Sequence, residues 1–158
     1  MTITIQQEPA DSPDAVQLVA ELDAILTPLY PDENRHGYSV EKLLNQRVFF
    51  YVVRVNGEAA GCSGVQLFVE EEKRPFAEVK RMYVRPKFRG QGLGKRLLAQ
   101  LEETAVSHNI DLMRLETGTF QVESIGLYEK VGYYRIPAFG HYQDTEYNHS
   151  YEKEIVRE

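Results

Sequence analysis

Hydrophobic and polar residues follow two different periods along this chain, and the longer period predicts four helices. Apolar residues at helical spacing mark segments that cover 13–27, 39–46, 93–109 and 122–131. Ser12 and Pro13 supply an N-cap and a proline at the first helical position of the first segment. Gly132 follows the last segment, where glycine commonly ends a helix.

Runs of β-branched and aromatic residues between these helices predict the strands. The predicted strands cover 48–55, 59–69, 76–84 and 111–117, with shorter candidates at 2–5, 133–136 and 151–156. Asn56-Gly57 is a hairpin signal, so the three central strands should form an antiparallel meander. The strand at 111–117 follows a helical crossover and should run parallel to its neighbour. We therefore expect one α+β domain, residues 1–158, on a mixed sheet.

Composition narrows the class of protein. The chain has 158 residues, of which 42% are hydrophobic and 27% charged, as in one globular domain. It contains no run of about 20 apolar residues and no apolar, basic N-terminus, so we expect no membrane segment and a cytoplasmic location. Cys62 is the single cysteine and the histidines lack metal spacing, which argues against a disulfide and a metal site. The net charge of −6 argues against nucleic-acid binding.

A glycine-rich run joins a predicted strand to a predicted helix. Arg89-Gly90-Gln91-Gly92-Leu93-Gly94 lets the backbone turn tightly just where helical N–H groups are free to bind an anion. The stretch 78–96 contains seven Lys or Arg and one acid, a local charge of +6 in a chain of −6. The sequence predicts an anion-binding loop, and the alternative is a solvated basic face beside a glycine turn.

The spacing of the glycines excludes two familiar phosphate loops. A P-loop needs Ser or Thr after Gly-Lys, but Arg96 follows Gly94-Lys95, and Arg89 occupies the place of the first glycine. The dinucleotide pattern G-x-G-x-x-G also fails, because the glycines are spaced by two throughout. The pattern that remains is Arg-x-x-Gly-x-Gly.

This pattern, preceded by MYVRP and followed by a leucine-rich helix, resembles motif A of the GNAT superfamily of N-acetyltransferases. Residues 127–133, LYEKVGY, resemble motif B of the same superfamily. The two matches cover roughly the second half of the chain. The resemblance implies a central mixed, mostly antiparallel twisted sheet with one splayed parallel strand pair, flanked by about four helices. It also implies acetyl-CoA as cosubstrate and no metal.

The resemblance assigns the pyrophosphate of acetyl-CoA to the glycine loop and its pantetheine arm to the neighbouring strand edge. Gln121 stands where many family members carry an asparagine that contacts pantetheine, so this contact is either made by a longer amide or lost. The cofactor-binding residues implied are Met82, Val84, Arg89, Gly90, Gln91, Gly92, Leu93, Gly94, Lys95, Arg96, Gln121 and Tyr128.

Three residues are candidates for the chemistry. Tyr128 matches the family's tyrosine near the thioester sulfur and could protonate the leaving thiolate, although a buried structural tyrosine is the alternative. Glu78 and Glu116 are candidates for the base that deprotonates the amine. Either glutamate could instead pair with Lys80, Arg81 or Arg114, and water could carry the proton without a dedicated base.

Two loops that combine aromatic and acidic side chains, 29–38 and 139–147, are candidates for binding the acceptor, since this mixture suits a cationic amine. Exposed loops without a ligand often have the same composition. The acceptor expected is the amine of a small molecule or a peptide, and dimers are common in the family, so a homodimer is one expectation. The predicted acceptor-binding residues are Tyr30, Glu33, Tyr38, Phe139 and Tyr142.

The expected function is therefore direct acetyl transfer from acetyl-CoA to a primary amine in a ternary complex. Cys62 lies in a predicted strand away from both motifs, which argues against a covalent thiol intermediate. A catalytically silent acyl-CoA-binding module is the main alternative, and a nucleotide-binding protein unrelated to CoA is a weaker one.

Overall fold

A single β-sheet runs through the computed structural model, which describes residues 1–156; the last two residues of the domain predicted over 1–158 lie outside this range. Its seven strands form one sheet in the order β1-β2-β3-β4-β5-β7-β6. All neighbouring strands are antiparallel except β4 and β5. The strands are β1 (Ile3–Gln7), β2 (Phe49–Val55), β3 (Glu58–Phe68), β4 (Phe76–Val84), β5 (Leu112–Gly118), β6 (Tyr134–Ile136) and β7 (Asn148–Glu154).

The β2–β3 hairpin turns where the sequence predicts it. Asn56 and Gly57 have φ angles of 49° and 84°, the left-handed pair that a tight two-residue turn requires. Asn56 also binds the N-terminus, because its N–H donates to the Thr2 carbonyl oxygen and its Oδ1 accepts from the Thr2 N–H. This places Ile3 opposite Val55 and lets β1 pair as far as residue 7, two residues beyond the predicted strand.

Four α-helices cover the two faces of the sheet: α1 (Pro13–Leu26), α2 (Val40–Asn45), α3 (Leu93–Ser107) and α4 (Val122–Lys130). Ser12 and Ser39 cap α1 and α2 through their hydroxyl oxygens, which accept from the N–H groups of Ala15 and Lys42. Leucines of α3 and Tyr128 of α4 pack in one apolar cluster, whereas α1 and α2 pack on the other face. The predicted α+β fold with a mixed, mostly antiparallel sheet is confirmed.

The parallel pair β4–β5 separates after a short contact. Only Ala77 with Met113 and Glu78 with Arg114 are paired in register, and beyond them the strands diverge. Across the same stretch β4 contains a bulge, since Arg81 and Met82 together lie opposite Ser63 of β3. Arg81 adopts a φ of 55° there. The divergence leaves one edge of β4 open from Val79 onwards, among the residues described.

No helix within residues 1–156 has the length and apolarity needed to cross a membrane.

Candidate active site

The divergence of β4 and β5 opens a cavity of about 950 Å³. Its walls come from the end of α1 and the segment that follows it, the second half of β4, the glycine loop, the end of β5 and the start of α4. One continuous space therefore connects the predicted anion-binding loop with both candidate glutamates and Tyr128.

The glycine loop at one end of the cavity contains two glycines in the left-handed conformation. Gly90 and Gly92 have φ angles of 81° and 76°, and the positions that their Cβ atoms would occupy are open space. Gly92 is the N-cap of α3 and has no side chain to occupy the free N–H groups of its first turn. A Cβ on Gly94 would lie 2.7 Å from Leu127 Cδ2, so that glycine allows α3 and α4 to approach.

Ten of the predicted CoA-binding residues line this cavity, and two, Gln91 and Arg96, lie outside its lining. The ten are Met82, Val84, Arg89, Gly90, Gly92, Leu93, Gly94, Lys95, Gln121 and Tyr128.

Three acids from other parts of the chain neutralise half of the local charge of +6, in which Glu78 is already counted. Lys80 pairs with Glu78, Arg81 with Asp23, Arg85 with Glu21 and Lys87 with Glu58. Arg89 stays near the loop, with Nη1 3.8 Å from Glu123 and Nε donating to the Val84 carbonyl oxygen at 3.1 Å. Lys95 and Arg96 form no ion pair within residues 1–156. Three cations of the original seven therefore remain beside the loop.

Tyr128 lies in the cavity wall with 4% of its surface exposed. Its ring packs 5.9 Å from that of Tyr133, centroid to centroid, and its hydroxyl has no hydrogen-bond partner within the described chain. Burial raises the pKa of this phenol, which keeps it protonated at neutral pH. A protonated hydroxyl without a protein partner is available to donate to a group that enters the cavity.

Glu78 lies at the point where the two strands diverge, in a buried cluster of paired groups. Its Oε2 accepts hydrogen bonds from Lys80 Nζ and the Tyr142 hydroxyl, both at 2.6 Å. Lys80 Nζ also lies 4.0 Å from the centre of the Tyr38 ring. Burial, and then the negative charge of Glu78, raise the pKa of Tyr142. The alternative that Glu78 pairs with Lys80 is thus observed.

Glu116, on the open part of β5, has a different partner. His36 Nδ1 contacts its Oε2, while His36 Nε2 lies 3.0 Å from the Glu33 carbonyl oxygen. Burial raises the pKa of Glu116, and His36 opposes that rise in part. No sequence pattern marks His36 as a site residue, because 80 positions separate it from Glu116 and only the fold brings the two together.

The segment between α1 and α2 is anchored across the cavity at two further places. The Tyr30 hydroxyl donates to Gln121 Oε1 and accepts from the Phe120 N–H at 2.8 Å. Asn34 Nδ2 donates to Asn148 Oδ1 at 2.6 Å. Gly118 makes room for this arrangement, because a Cβ there would lie 2.1 Å from the Tyr30 hydroxyl oxygen.

The residues predicted to bind the acceptor divide into two groups. Tyr30, Tyr38 and Tyr142 line the cavity, whereas Glu33 and Phe139 lie outside its lining. The Phe139 ring packs edge-on against Phe76 at 5.7 Å and lies 5.6 Å from the guanidinium carbon of Arg114. Glu33 contributes its backbone carbonyl to His36 rather than its side chain to the cavity.

Cys62 lies in β3 with no exposed surface, outside the cavity lining. Burial raises the pKa of its thiol to about 12, so almost none of it is thiolate at neutral pH. A thiol of this kind is a poor nucleophile.

Comparison with known proteins agrees with this geometry. The family model described as the acetyltransferase (GNAT) family matches residues 18–133, more than half of the chain. The chain therefore belongs to the GNAT family of acetyltransferases.

Individual relatives extend this likeness over almost the whole chain. A protein of Azospirillum brasilense named IAA acetyltransferase is 36% identical over 140 residues, which cover 89% of this chain and 90% of that protein. The solved structure of a candidate acyl-CoA N-acyltransferase from Klebsiella pneumoniae is 34% identical, with a TM-score of 0.82 and coverage of 98% and 99%. The PaiA N-acetyltransferase of Thermoplasma acidophilum, solved in complex with coenzyme A, has the same fold at 21% identity, with a TM-score of 0.74 and coverage of 98% and 99%.

Proposed function

We propose that this protein transfers an acetyl group from acetyl-CoA directly to a primary amine. The observation that carries the proposal is the single cavity that connects the glycine loop to Tyr128 and Glu116. A donor bound at one end and an amine held at the other would meet where β4 and β5 separate. Direct transfer also agrees with the buried, protonated state of Cys62.

The donor end binds acetyl-CoA through backbone groups and three cations. N–H groups of the loop and of the first turn of α3 bind the pyrophosphate, and Arg89, Lys95 and Arg96 supply positive charge. The free edge of β4 at Met82 and Val84 binds the pantetheine amides, since β5 no longer pairs with that edge. The side-chain Oε1 of Gln121 already accepts from Tyr30, so its NH₂ group is the part that binds pantetheine.

Two groups move protons in the reaction. The amine arrives as an ammonium and gives one proton to Glu116, after which its lone pair forms the new C–N bond at the thioester carbonyl. The C–S bond breaks, the thiolate takes a proton from Tyr128, and the second proton lost by nitrogen restores the phenol. Atoms and charge balance, because one proton goes to the thiol and the other to the base.

Glu116 suits the role of base better than Glu78. The Oε2 of Glu78 already accepts hydrogen bonds from the Lys80 ammonium and the Tyr142 phenol, so this oxygen is occupied by groups of the protein itself. Burial raises the pKa of Glu116 and makes it more basic. We assign Glu78 to holding Lys80 and Tyr142 in place beside the acceptor.

The acceptor binds between the segment 29–38 and Tyr142. Tyr30, Tyr38 and Tyr142 offer ring faces, and Glu116 offers negative charge, a combination that holds an amine of a small molecule or peptide.

Two measurements test the proposal. Calorimetry should detect acetyl-CoA binding at about 100 μM, within the usual range of KM values. Release of the CoA thiol, followed with a disulfide reagent across a panel of amines, should exceed the background without amine. Absence of binding contradicts the proposal, and binding without thiol release for any amine identifies a silent acyl-CoA-binding module instead.

A further inference from the structure

We propose that His36 and Glu116 share one proton, so that this pair, rather than a lone carboxylate, accepts the proton that the acceptor amine loses. The catalytic part of this inference rests on the acetyl transfer proposed above. The sharing of the proton itself does not, because it follows from contacts within the protein.

The two ring nitrogens of His36 differ in what they face. Nε2 lies 3.0 Å from the Glu33 carbonyl oxygen, and a carbonyl oxygen can only accept a hydrogen bond, so Nε2 carries a proton. Nδ1 contacts Glu116 Oε2, and a hydrogen bond between these two atoms requires one proton on either of them. The contact therefore holds a single mobile proton with two places to reside.

The other charged groups around the pair have partners of their own. Lys80 and Glu78 of β4 act on Glu116 from one side, but they are paired with each other at 2.6 Å. On the segment that carries His36, Arg35 is paired with Asp32. No other ammonium or guanidinium donates to Glu116 within residues 1–156, so His36 is its partner.

Two aromatic rings lie near the His36 imidazole. The Tyr142 ring lies 5.3 Å from the His36 ring, and the His141 ring lies 6.5 Å from it, centroid to centroid. His141 is the remaining titratable group that faces His36 from the segment after β6. It packs closer to Tyr142, at 4.3 Å, and lies outside the cavity lining.

The partial exposure of both side chains lets the pair exchange its proton with solvent. The Glu116 side chain is 11% exposed and the His36 side chain 27% exposed, and both line the cavity. The pair first loses its mobile proton to solvent. Glu116 then accepts a proton from the ammonium, passes it to Nδ1, and the imidazolium releases it to water when the product has left. His36 is a positioning residue in this scheme, because it acts through Glu116.

Imidazole nitrogen NMR on the protein without substrate tests the shared proton. In the wild type at neutral pH, Nε2 should give the signal of a protonated nitrogen, and Nδ1 a signal between those of a protonated and a bare nitrogen. In Glu116→Gln, the Nδ1 signal should move to one of these two limits, because an amide cannot take up the proton that the carboxylate shares. An Nδ1 signal that stays in place in Glu116→Gln overturns the inference, whatever the protein catalyses.

The pH profile of kcat/KM in His36→Asn tests whether the pair accepts the proton of the amine. The asparagine amide places a hydrogen-bond donor where Nδ1 stood, but it cannot take up a proton. The acid limb should move to lower pH by at least about one unit, because a carboxylate alone is a weaker base than a carboxylate coupled to an imidazole. The plateau should fall about tenfold, since the remaining base is weaker.

His141→Asn is the matched control, and it should leave both the limb and the plateau unchanged. A limb that stays in place in His36→Asn, with only the rate scaled down, assigns His36 to structure alone and overturns its proton-accepting role. If the wild type acetylates no amine, the proposed function fails, and the NMR result still decides whether the pair shares a proton.

Discussion

The Tyr128 hydroxyl is unusual among buried polar groups in lining a cavity without a protein partner in the described chain. A phenol with no partner gains nothing for stability from its oxygen, because burial without a hydrogen bond costs free energy. Its position is therefore better explained by contact with a ligand than by packing.

Tyr128→Phe should lower kcat about a hundredfold, because it removes the proton donor for the thiolate while keeping the ring. Acetyl-CoA affinity, measured by calorimetry, should stay within about twofold, which corresponds to less than about 0.5 kcal/mol. Thermal unfolding should be unchanged or slightly raised, since no hydrogen bond is lost.

Tyr133→Phe is the control for this prediction. The Tyr133 hydroxyl is also buried without a partner, but this residue lies outside the cavity lining. Its removal should leave kcat unchanged. An equal loss of kcat in both variants would assign Tyr128 to packing of the two rings.

Some residues of the candidate site could be predicted from the sequence and others could not. The places of Tyr128 and Glu116 beside the cavity could be predicted, because a motif or a strand end marks them. The pairing of His36 could not, since it depends on a contact across the fold, although His36 belongs to the loop 29–38 predicted to bind the acceptor. The partners of Arg85 and Lys87 were equally hidden, because Glu21 and Glu58 belong to other elements, so the local charge count overstated the free positive charge.

At the scale of elements, the glycine loop depends on backbone conformation more than on side chains. Gly92 combines a left-handed φ with open space around its missing Cβ, and it begins the helix whose N–H groups face the cavity. Gly57 in the β2–β3 hairpin also has a left-handed φ and open space around its missing Cβ, but it does not line the cavity. The two glycines form a matched pair for mutation.

Gly92→Asp should lower acetyl-CoA affinity at least about a hundredfold, because a carboxylate beside the loop repels the pyrophosphate and occupies its N–H groups. Gly57→Asp imposes a similar backbone strain, of about 1 kcal/mol, and should leave affinity unchanged. Calorimetry on both variants, with unfolding curves to compare their stability, checks the prediction. Wild-type affinity in Gly92→Asp would exclude the loop as the phosphate site.

Most elements could be predicted because a local signal defines each one. Ser12 caps the first helix where the sequence indicates, and Asn56-Gly57 turns the hairpin. The bulge at Arg81 could not be predicted, since arginine rarely adopts a positive φ and the strand pattern continues through it. The early start of β7 at Asn148 was also missed, because that half of the strand is polar and its pairing with Gly118 of β5 defines it.

At the scale of the whole molecule, the sheet has two parts that meet along a short contact. β1–β4 form one part and β5–β7 the other, and two residue pairs in register join them. A ligand in the cavity contacts both parts at once. Its binding free energy should therefore appear as added stability of the joined sheet.

Acetyl-CoA at about 100 times its Kd should stabilise the protein by about 2.7 kcal/mol and raise Tm by about 5–10 °C. Hydrogen exchange should slow at 82–84 and 115–118, on the two sides of the divergence. Thermal unfolding and exchange mass spectrometry measure these effects, and Gly92→Asp at the same ligand concentration should be stabilised by no more than about 0.4 kcal/mol, with correspondingly less protection. Slower exchange on one part alone would place the ligand outside the shared cavity.

The absence of a side chain at Gly118 has a consequence for how the choice of acceptor can change between related enzymes. The Tyr30 oxygen occupies the place of the missing side chain, so one added methyl group would displace it from Phe120 and Gln121. The tyrosine can yield because its hydroxyl lies at the free end of the side chain, whereas the strand beneath need not move. Replacing Gly118 by alanine or serine would thus reshape the part of the cavity proposed to bind the acceptor and leave the glycine loop intact.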